Sequence, residues 1–188
     1  MSRASVKEAL YTLERWYLVD IMPRKGASAT QLDETHATEL YDVYMHLLIM
    51  LARRLCERWT EDDKPRLLKA IEQVVGRIND NRSDIAGVVE ARCEVMETCC
   101  EVVGNPYLTE ALTNFKPAVS RTYYMGSDRY RQDLDQTGHF FSDLTRAVLD
   151  RNPEEAEKQV PRFPENQKAT SRKDTSQAKA ARPVHHSR

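Results

Sequence analysis

The 188-residue sequence lacks any apolar run long enough to cross a membrane, and its beginning lacks the pattern of a secretory signal. It has 40% hydrophobic and 30% charged residues, which is ordinary for one or two soluble globular domains. Its net charge of −1 argues against a protein that coats nucleic acid uniformly. Together these features predict a cytoplasmic protein with no membrane partner.

The sequence also lacks the motifs of common catalytic sites. It contains no Gly-rich phosphate loop, no recognisable pair of nucleophile and base, and no zinc motif. Its cysteines, Cys56, Cys93, Cys99 and Cys100, show no paired Cys-x-x-Cys spacing, which favours small buried thiols in a reducing compartment over a zinc site or a disulfide. We therefore expect neither an enzyme nor a bound cofactor.

Helical periodicity dominates from Asp33 onward. Apolar residues recur at intervals of three and four along five segments, which predicts helices that each bury one face. The five apolar stripes contain Leu40, Val43, Tyr44, Leu47, Leu51 and Leu55; Leu67, Leu68, Ile71, Val74, Val75 and Ile78; Ile85, Val88, Val89, Val95, Met96, Cys99 and Val103; Leu108, Leu112, Phe115, Val119 and Tyr123; and Tyr130, Leu134, Phe141, Leu144 and Val148. This pattern predicts a helical bundle.

Residue types typical of helix ends separate these segments. Gly104 is expected to end the third helix, and the fourth is expected to be kinked or interrupted near Pro117. Asn152 is the predicted cap of a sixth helix, with Pro153 in its first position. Residues 164–188 have little apolar periodicity and several cations, so we expect a disordered basic tail there.

The first thirty residues predict a short helix followed by a β-hairpin. Ser2 caps a helix over residues 3–16, residues 18–22 and 27–30 are β-prone, and residues 23–26 form a basic turn. A recognition helix enters the major groove by its N-terminal end, where Arg can bind guanine and Lys a base or a phosphate. The predicted DNA-contacting residues are Ser2, Arg3, Lys7, Arg24, Lys25 and Gly26.

This segment resembles the recognition helix and wing of the GntR family of bacterial transcription regulators, and the rest resembles the FCD effector domain of its FadR-like branch. The matching positions are Ser2-Arg3, Val6 to Leu10, Leu13-Glu14, Leu18-Val19, Pro23 to Ala27 and Gly104 to Leu108. The resemblance implies a mainly α fold. A partial winged helix-turn-helix (recognition helix plus β-hairpin wing) occupies residues 1–31, and an all-helical FCD-type bundle of about six helices, which binds an effector and dimerises, occupies residues 32–163 before the tail.

Several positions depart from the family. The family usually has Thr-Pro where Ala4-Ser5 stand, Arg at Lys7 and Gly at Tyr17, and the change to Lys gives up the planar guanidinium. Family members also carry two more helices before Ser2, one of which supports the recognition helix. A lone helix and hairpin bury little surface, so the sequence predicts weak binding of operator DNA.

The resemblance implies a divalent metal in the effector cavity, held by an Asp, a His one helical turn later, and two further His. Counting from the flanking motifs places these four positions at Arg92, Met96, Phe141 and near Phe163, none of which is a metal ligand. A register shifted by two residues would put His139 at one position, still without partners. We therefore expect no transition-metal site.

Arg92 is a charged member of an otherwise apolar stripe, so it needs an anionic partner. It pairs with an internal carboxylate such as Asp42 or Glu94, extends to the surface, or binds the carboxylate or phosphate of an effector. Tyr44 stands where the family commonly has Arg, and Leu48 where it often has Glu, which implies a more apolar pocket. The predicted effector-binding residues are Tyr44, Arg92, Met96, Arg121 and Phe141.

Two functions remain open on the sequence. The first is a transcription regulator that binds operator DNA as a homodimer and responds to a small organic effector, expected to be a carboxylate, with DNA binding impaired by truncation at the N-terminus. The second is a helical ligand-binding or dimerisation remnant that does not bind DNA and forms mixed dimers with an intact relative. Codons upstream of Met1 that encode two further helices in frame would favour the first.

Overall fold

The structure, a computed structural model, describes residues 2–81, 84–125 and 134–160. These residues form seven helices and one two-stranded sheet: α1 Arg3–Arg15, β1 Val19–Met22, β2 Gly26–Ala29, α2 Glu34–Arg58, α3 Lys64–Asp80, α4 Ile85–Val103, α5 Pro106–Met125, α6 Leu134–Leu149 and α7 Pro153–Gln159. The prediction of a mainly α fold, with a helix and hairpin before a helical bundle, is confirmed. No helix in the described part of the chain is both long and apolar enough to span a bilayer.

Side-chain caps fix where several helices begin. The Ser2 hydroxyl accepts from Ser5 N at 3.2 Å, Asp33 Oδ1 accepts from His36 N at 3.0 Å, and Asn152 Oδ1 accepts from Glu155 N at 3.0 Å. Each of these side chains satisfies an amide that has no partner within its helix. The predicted caps of the first and last helices are therefore confirmed.

Gly104 ends α4 in a left-handed conformation, with φ of 63°, and its N–H donates to Cys100 O at 2.9 Å. Glycine adopts this conformation without the steric cost that a Cβ would add. Of the two alternatives predicted near Pro117, an interruption is excluded, since α5 runs without a break from Pro106 to Met125. Burial of the adjacent Ala118 and Val119 stabilises this helix despite the backbone hydrogen bond that proline cannot make.

The β-hairpin predicted over residues 18–30 is present, with two strands of four residues each. Val19 pairs with Ala29 and Met22 with Gly26, in antiparallel arrangement. Arg24 and Gly26 both have positive φ, of 65° and 92°. The predicted permissive role of glycine in this turn is thus realised at Gly26, and the turn carries the Arg24 side chain into solvent.

Helices α2 to α7 form the bundle, and α2 is its central member because it packs against α4, α5, α6 and α7. Helix α3 packs on α4 and α6, on the other side of the cavity described below. The largest fully buried apolar side chains, Leu112, Leu134, Val74, Val88, Val103 and Cys56, come from five different helices. The core therefore requires α2 to α6 together, and no pair of helices could bury these stripes alone.

Hydrogen bonds also join the C-terminal ends of α2 and α6. Trp59 Nε1 donates to Val148 O at 2.9 Å, and Arg151 donates to Cys56 O at 3.1 Å and Trp59 O at 2.8 Å. The Arg151 guanidinium also lies 4.4 Å from the centroid of the Trp59 ring. These contacts satisfy carbonyl groups at the end of α2 that have no partner in their own helix.

Some predictions fall on residues outside the described ranges. They are the place of Tyr130 in the fifth stripe, the fourth metal position near Phe163, and the disordered basic tail over residues 164–188.

Candidate functional site

A cavity of about 130 Å³ lies inside the bundle, between α2, α3, α4, α5 and α6. Its wall is formed mostly by aliphatic, aromatic and sulfur-containing side chains. The lining residues include Tyr44, Met45, Leu48, Leu51, Ala52, Leu55, Leu67, Ala70, Ile71, Val89, Arg92, Cys93, Val95, Met96, Cys99, Lys116, Val119, Ser120, Tyr123, Phe140, Phe141, Leu144, Thr145, Val148, Leu149 and Val160. A largely apolar cavity with a few polar groups is the usual form of a small-molecule site.

The polar groups are not spread evenly around this cavity. The charged lining residues Arg92 and Lys116 belong to α4 and α5, as does the hydroxyl residue Ser120. The walls from α2, α3 and α6 contribute apolar side chains apart from Tyr44 and Thr145. The Thr145 hydroxyl donates to Phe141 O at 2.6 Å, so it is already satisfied within its own helix. The cavity thus has one polar wall and several apolar ones.

Arg92 contacts Tyr123 in two ways. Its Nη2 donates to Tyr123 Oη at 2.7 Å, and its guanidinium carbon lies 4.4 Å from the centroid of the same ring. This partner was not among those expected from the sequence, which named Asp42, Glu94 and the surface. Lys116 Nζ lies 2.6 Å from Glu97 Oε1, and this ion pair is partly exposed to solvent. The polar wall is therefore cationic on its cavity side.

Burial keeps the Tyr44 hydroxyl and the thiols of Cys93 and Cys99, which also line the cavity, neutral. Loss of hydration raises the pKa of the Tyr44 hydroxyl well above its ordinary value, and repulsion by the Tyr123 hydroxyl adds to that pKa shift. The Tyr44 hydroxyl lies 3.5 Å from Met96 Sδ, a weak acceptor. Burial likewise raises the pKa of Cys93, and it raises the pKa of Cys99 to about 12. These thiols therefore stay protonated near neutral pH in the metal-free protein.

Four of the five predicted effector-binding residues, Tyr44, Arg92, Met96 and Phe141, line this one cavity. Arg121 does not. Its Nη1 donates to Thr30 O at 2.9 Å, in the segment that joins the hairpin to α2. Helical position explains the difference, since Lys116, Ser120 and Tyr123 share the inward side of α5 and Arg121 lies off it.

Sequence reasoning did not single out Lys116 or Ser120. Their spacing of four from one another, next to the buried Leu112 and Val119, is the signal that could have found them. Three of the inferred metal positions, Arg92, Met96 and Phe141, do converge on the cavity. His139 is exposed, and within the described residues no three side chains of His, Cys, Asp or Glu are grouped so as to bind a metal ion.

The predicted DNA-contacting residues lie on α1 and on the hairpin turn, and all of them are exposed. Ser2 is engaged in capping α1, while Lys7 Nζ lies 5.5 Å from the Tyr11 ring centroid. Arg24 and Lys25 occupy the turn between β1 and β2, and Gly26 is the first residue of β2. The two sets of cations are thus presented by adjoining elements, since α1 packs against β1.

The helix and hairpin touch the bundle through α5. The Tyr17 ring stacks on Phe115 with centroids 5.0 Å apart and planes at 18°, and Arg15 forms an ion pair with Glu110. Phe115 in turn lies 6.4 Å from the Tyr44 ring, which lines the cavity. A continuous set of aromatic contacts therefore leads from Tyr44 in the cavity wall, through Phe115, to Tyr17, two residues after the end of α1.

Residues 39–163 match the FCD domain family. Among solved structures, E. coli McbR/YncC is similar with a TM-score of 0.71 and 13% identity, over 93% of this chain and 82% of that one. A putative GntR transcriptional regulator from Rhodococcus sp. gives a TM-score of 0.66 and 17% identity, over 91% and 80%. A GntR family member from Pseudomonas syringae gives 0.57 and 18%, over 96% and 75%. No curated protein sequence matches the chain. At these identities the structural matches show a shared fold.

Proposed function

Because the chain belongs to the FCD domain family, we propose that it is a transcription regulator that binds operator DNA as a homodimer and responds to a small organic carboxylate. The bundle of α2 to α7 is the effector-binding and dimerisation part. The segment of α1, β1 and β2 is the DNA-binding part. Two solved structures of similar fold, from Rhodococcus sp. and Pseudomonas syringae, are named as GntR transcriptional regulators, which supports a regulatory role.

The observation that carries the proposal is the cavity with Arg92 in its wall. A guanidinium is the side chain best suited to a carboxylate, because its N–H groups match the two oxygens. Arg92 already donates to a neutral hydroxyl, that of Tyr123. A carboxylate offers Arg92 a stronger, charge-assisted hydrogen bond than that hydroxyl does.

The aromatic contacts through Phe115 support a response to the effector. A ligand beside Tyr44 changes the packing of its ring, and Phe115 touches both Tyr44 and Tyr17. If the ligand binds more tightly to one arrangement of these rings than to another, it favours the position of α1 that goes with that arrangement. The Arg121 to Thr30 and Arg15 to Glu110 contacts hold the same α1 and hairpin segment against α5.

DNA binding is tested with a gel shift on the DNA upstream of the gene, with random DNA as competitor and at several salt concentrations. We expect Lys7→Ala and Arg24→Ala to weaken binding, and each lost phosphate contact to reduce the slope of log affinity against log salt by about 0.9. Lys69→Ala is the matched control, because Lys69 is exposed on α3. Equal losses for Lys69→Ala and Lys7→Ala would contradict binding through α1 and the hairpin.

A second function is favoured by the exposure of α1. None of the thirteen residues of this helix is buried, and Val6 in its apolar seam is 40% exposed. Such a segment is weakly held, which supports a ligand-binding protein that forms mixed dimers with a DNA-binding relative and lowers the DNA binding of that relative. If the chain itself gives no shift but abolishes the shift of a co-expressed relative, this second function replaces the first.

A further inference from the structure

We propose that the cavity binds, without a metal ion, a monocarboxylate whose non-polar chain runs along the α2, α3 and α6 walls. This proposal rests on the proposed function only in treating the cavity as the effector site. It names the chemical class of the effector, an amphipathic acid with one charged end, in place of small acids that carry several polar groups. The proposal is based on the uneven distribution of polar side chains around the cavity, with charged groups on the α4 and α5 wall and mainly apolar side chains on the walls opposite.

The charged end belongs on the α4 and α5 wall. Arg92, Lys116 and Ser120 line the cavity there, and Tyr123 lies within hydrogen-bond distance of Arg92. Two cations and two hydroxyl groups suit a single carboxylate, which accepts up to four hydrogen bonds. Since Glu97 already neutralises Lys116, a second carboxylate on the ligand would gain little from this wall.

Apart from Tyr44 and Thr145, the side chains that the opposite walls present to the cavity are apolar. Leu48, Leu51 and Leu55 come from α2, Ile71 from α3, and Leu144 from α6, together with further apolar side chains of the same helices. A hydroxyl or second carboxylate directed to these walls would lose its hydration without a partner. A methylene group there gains from burial, by about fourfold in affinity for each one added.

The size of the cavity limits the length of the chain. A cavity needs at least about 10 to 15 Å³ to hold one water molecule, which is close to the size of one non-hydrogen atom of a ligand. The cavity of about 130 Å³ therefore holds about nine to thirteen non-hydrogen atoms. Octanoate falls inside this range. An acid with a long, saturated lipid-like tail does not.

The side chains present do not fit a divalent metal. The positions that the family resemblance assigns to an Asp and a His hold Arg92 and Met96, and a guanidinium repels a cation where a carboxylate would bind it. The third position, Phe141, offers no donor atom. We therefore assign the anchoring of the carboxylate to Arg92 directly.

The experiment is isothermal titration calorimetry of the full chain in buffer with a chelator, using three probes. Octanoate has the charge and the chain, 1-octanol has only the chain, and succinate has charge without an apolar end. We expect octanoate to bind at least tenfold more tightly than 1-octanol and succinate not to bind. The proposal is overturned if succinate binds more tightly than octanoate, if no probe binds, or if octanoate binds only after zinc or manganese is added.

Two variants separate the charged end from the chain. Arg92→Met should lower octanoate affinity at least tenfold and leave 1-octanol unchanged, while Lys69→Met, a charge loss on the exposed side of α3, should change neither. Ala52→Leu narrows the apolar part of the cavity, so the preferred acid should shift from octanoate towards hexanoate. An unchanged preference in Ala52→Leu overturns the placement of the chain even if Arg92→Met does not fold.

The calorimetry does not depend on DNA. The gel shift of the ligand-free protein tests the regulator function separately, so failure of the effector class and failure of DNA binding give different results. A normal gel shift without octanoate binding supports the regulator function and contradicts the proposed class of effector. Octanoate binding without a gel shift supports the class of effector and contradicts the regulator function.

Discussion

Replacement of Tyr17 is the sharpest test of how α1 is held on the bundle. Tyr17 has a φ of 57°, in the left-handed region, where the resembled family usually has Gly. A side chain in that conformation costs roughly 1 kcal/mol compared with glycine. The stack of Tyr17 on Phe115 offsets this cost. Tyr17→Ala removes the stack and keeps the conformational cost, whereas Tyr17→Gly removes both.

The magnitude follows from the buried part of the ring. Tyr17 is 50% exposed, so about half of its surface, or roughly 100 Å², is removed from water. At about 25 cal/mol per Å² this is an upper value of about 2.5 kcal/mol. We therefore expect Tyr17→Ala to weaken the docking of α1 by about 2 kcal/mol, and Tyr17→Gly by about 1 kcal/mol because the strain is relieved.

Hydrogen exchange measured by mass spectrometry on peptides from residues 3–30 reports this docking directly. An opening energy lower by about 2 kcal/mol raises exchange roughly thirtyfold, and about 1 kcal/mol raises it roughly fivefold. Peptides from α3 and α4 should not change, because these helices do not touch Tyr17. Phe115→Ala should resemble Tyr17→Ala, and the double variant should be less destabilised than the sum of the two.

Equal exchange in Tyr17→Ala and Tyr17→Gly would refute the argument from left-handed strain. Unchanged exchange in Tyr17→Ala would refute the argument that the stack on Phe115 holds α1. Additive effects of the Tyr17 and Phe115 substitutions would show that the two rings do not stabilise one another.

Three further predictions concern the bundle and the segment before it. Gly76→Ala should raise the free energy of unfolding by about 0.5 to 1 kcal/mol in urea titrations, because a Cβ at this position in α3 meets nothing within 4 Å. Arg151→Ala should lower it by about 2 kcal/mol and shift the fluorescence of Trp59, through loss of two charged hydrogen bonds and the ring contact. The hydrogen bond to Asp33 raises the pKa of His36 above 6.5, so its stabilising effect is full below that value and is lost as pH rises through the raised pKa. In NMR titrations Asp33→Asn, which keeps the helix cap, should return the His36 pKa towards 6.5, and an unchanged pKa would exclude the Asp33 contact as its cause.

Much of the bundle could be predicted from the sequence, because each helix carries its own apolar stripe and its own end signals. Asn152 and Gly104 act locally, so their roles follow from the neighbouring residues alone. The convergence of Arg92, Met96 and Phe141 on one cavity could also be predicted. Counting along the sequence from the motifs shared with the resembled family placed all three on the inward faces of their helices.

The contacts between distant segments could not be predicted in this way. Arg121 was expected in the cavity, and it donates instead to Thr30, a residue 91 positions away. Tyr17 departs from the resembled family, but the sequence does not show that a partner ring lies on α5. Helix periodicity assigns a side chain to a face, whereas the identity of what lies opposite depends on how separate elements pack.

The three contacts of the α1 and hairpin segment with α5 also define a direction of motion. At 3.6 residues per turn, Glu110 and Arg121 project from nearly the same side of α5, about 20° apart, while Phe115 projects from about 140° away. The contacts at Glu110 and Arg121 therefore lie along one side of α5 and do not by themselves fix the segment against rotation about the line that joins them. Of the three contacts, the stack of Tyr17 on Phe115 is the one that lies off this line, so it sets the angle at which Arg3 and Lys7 face outward.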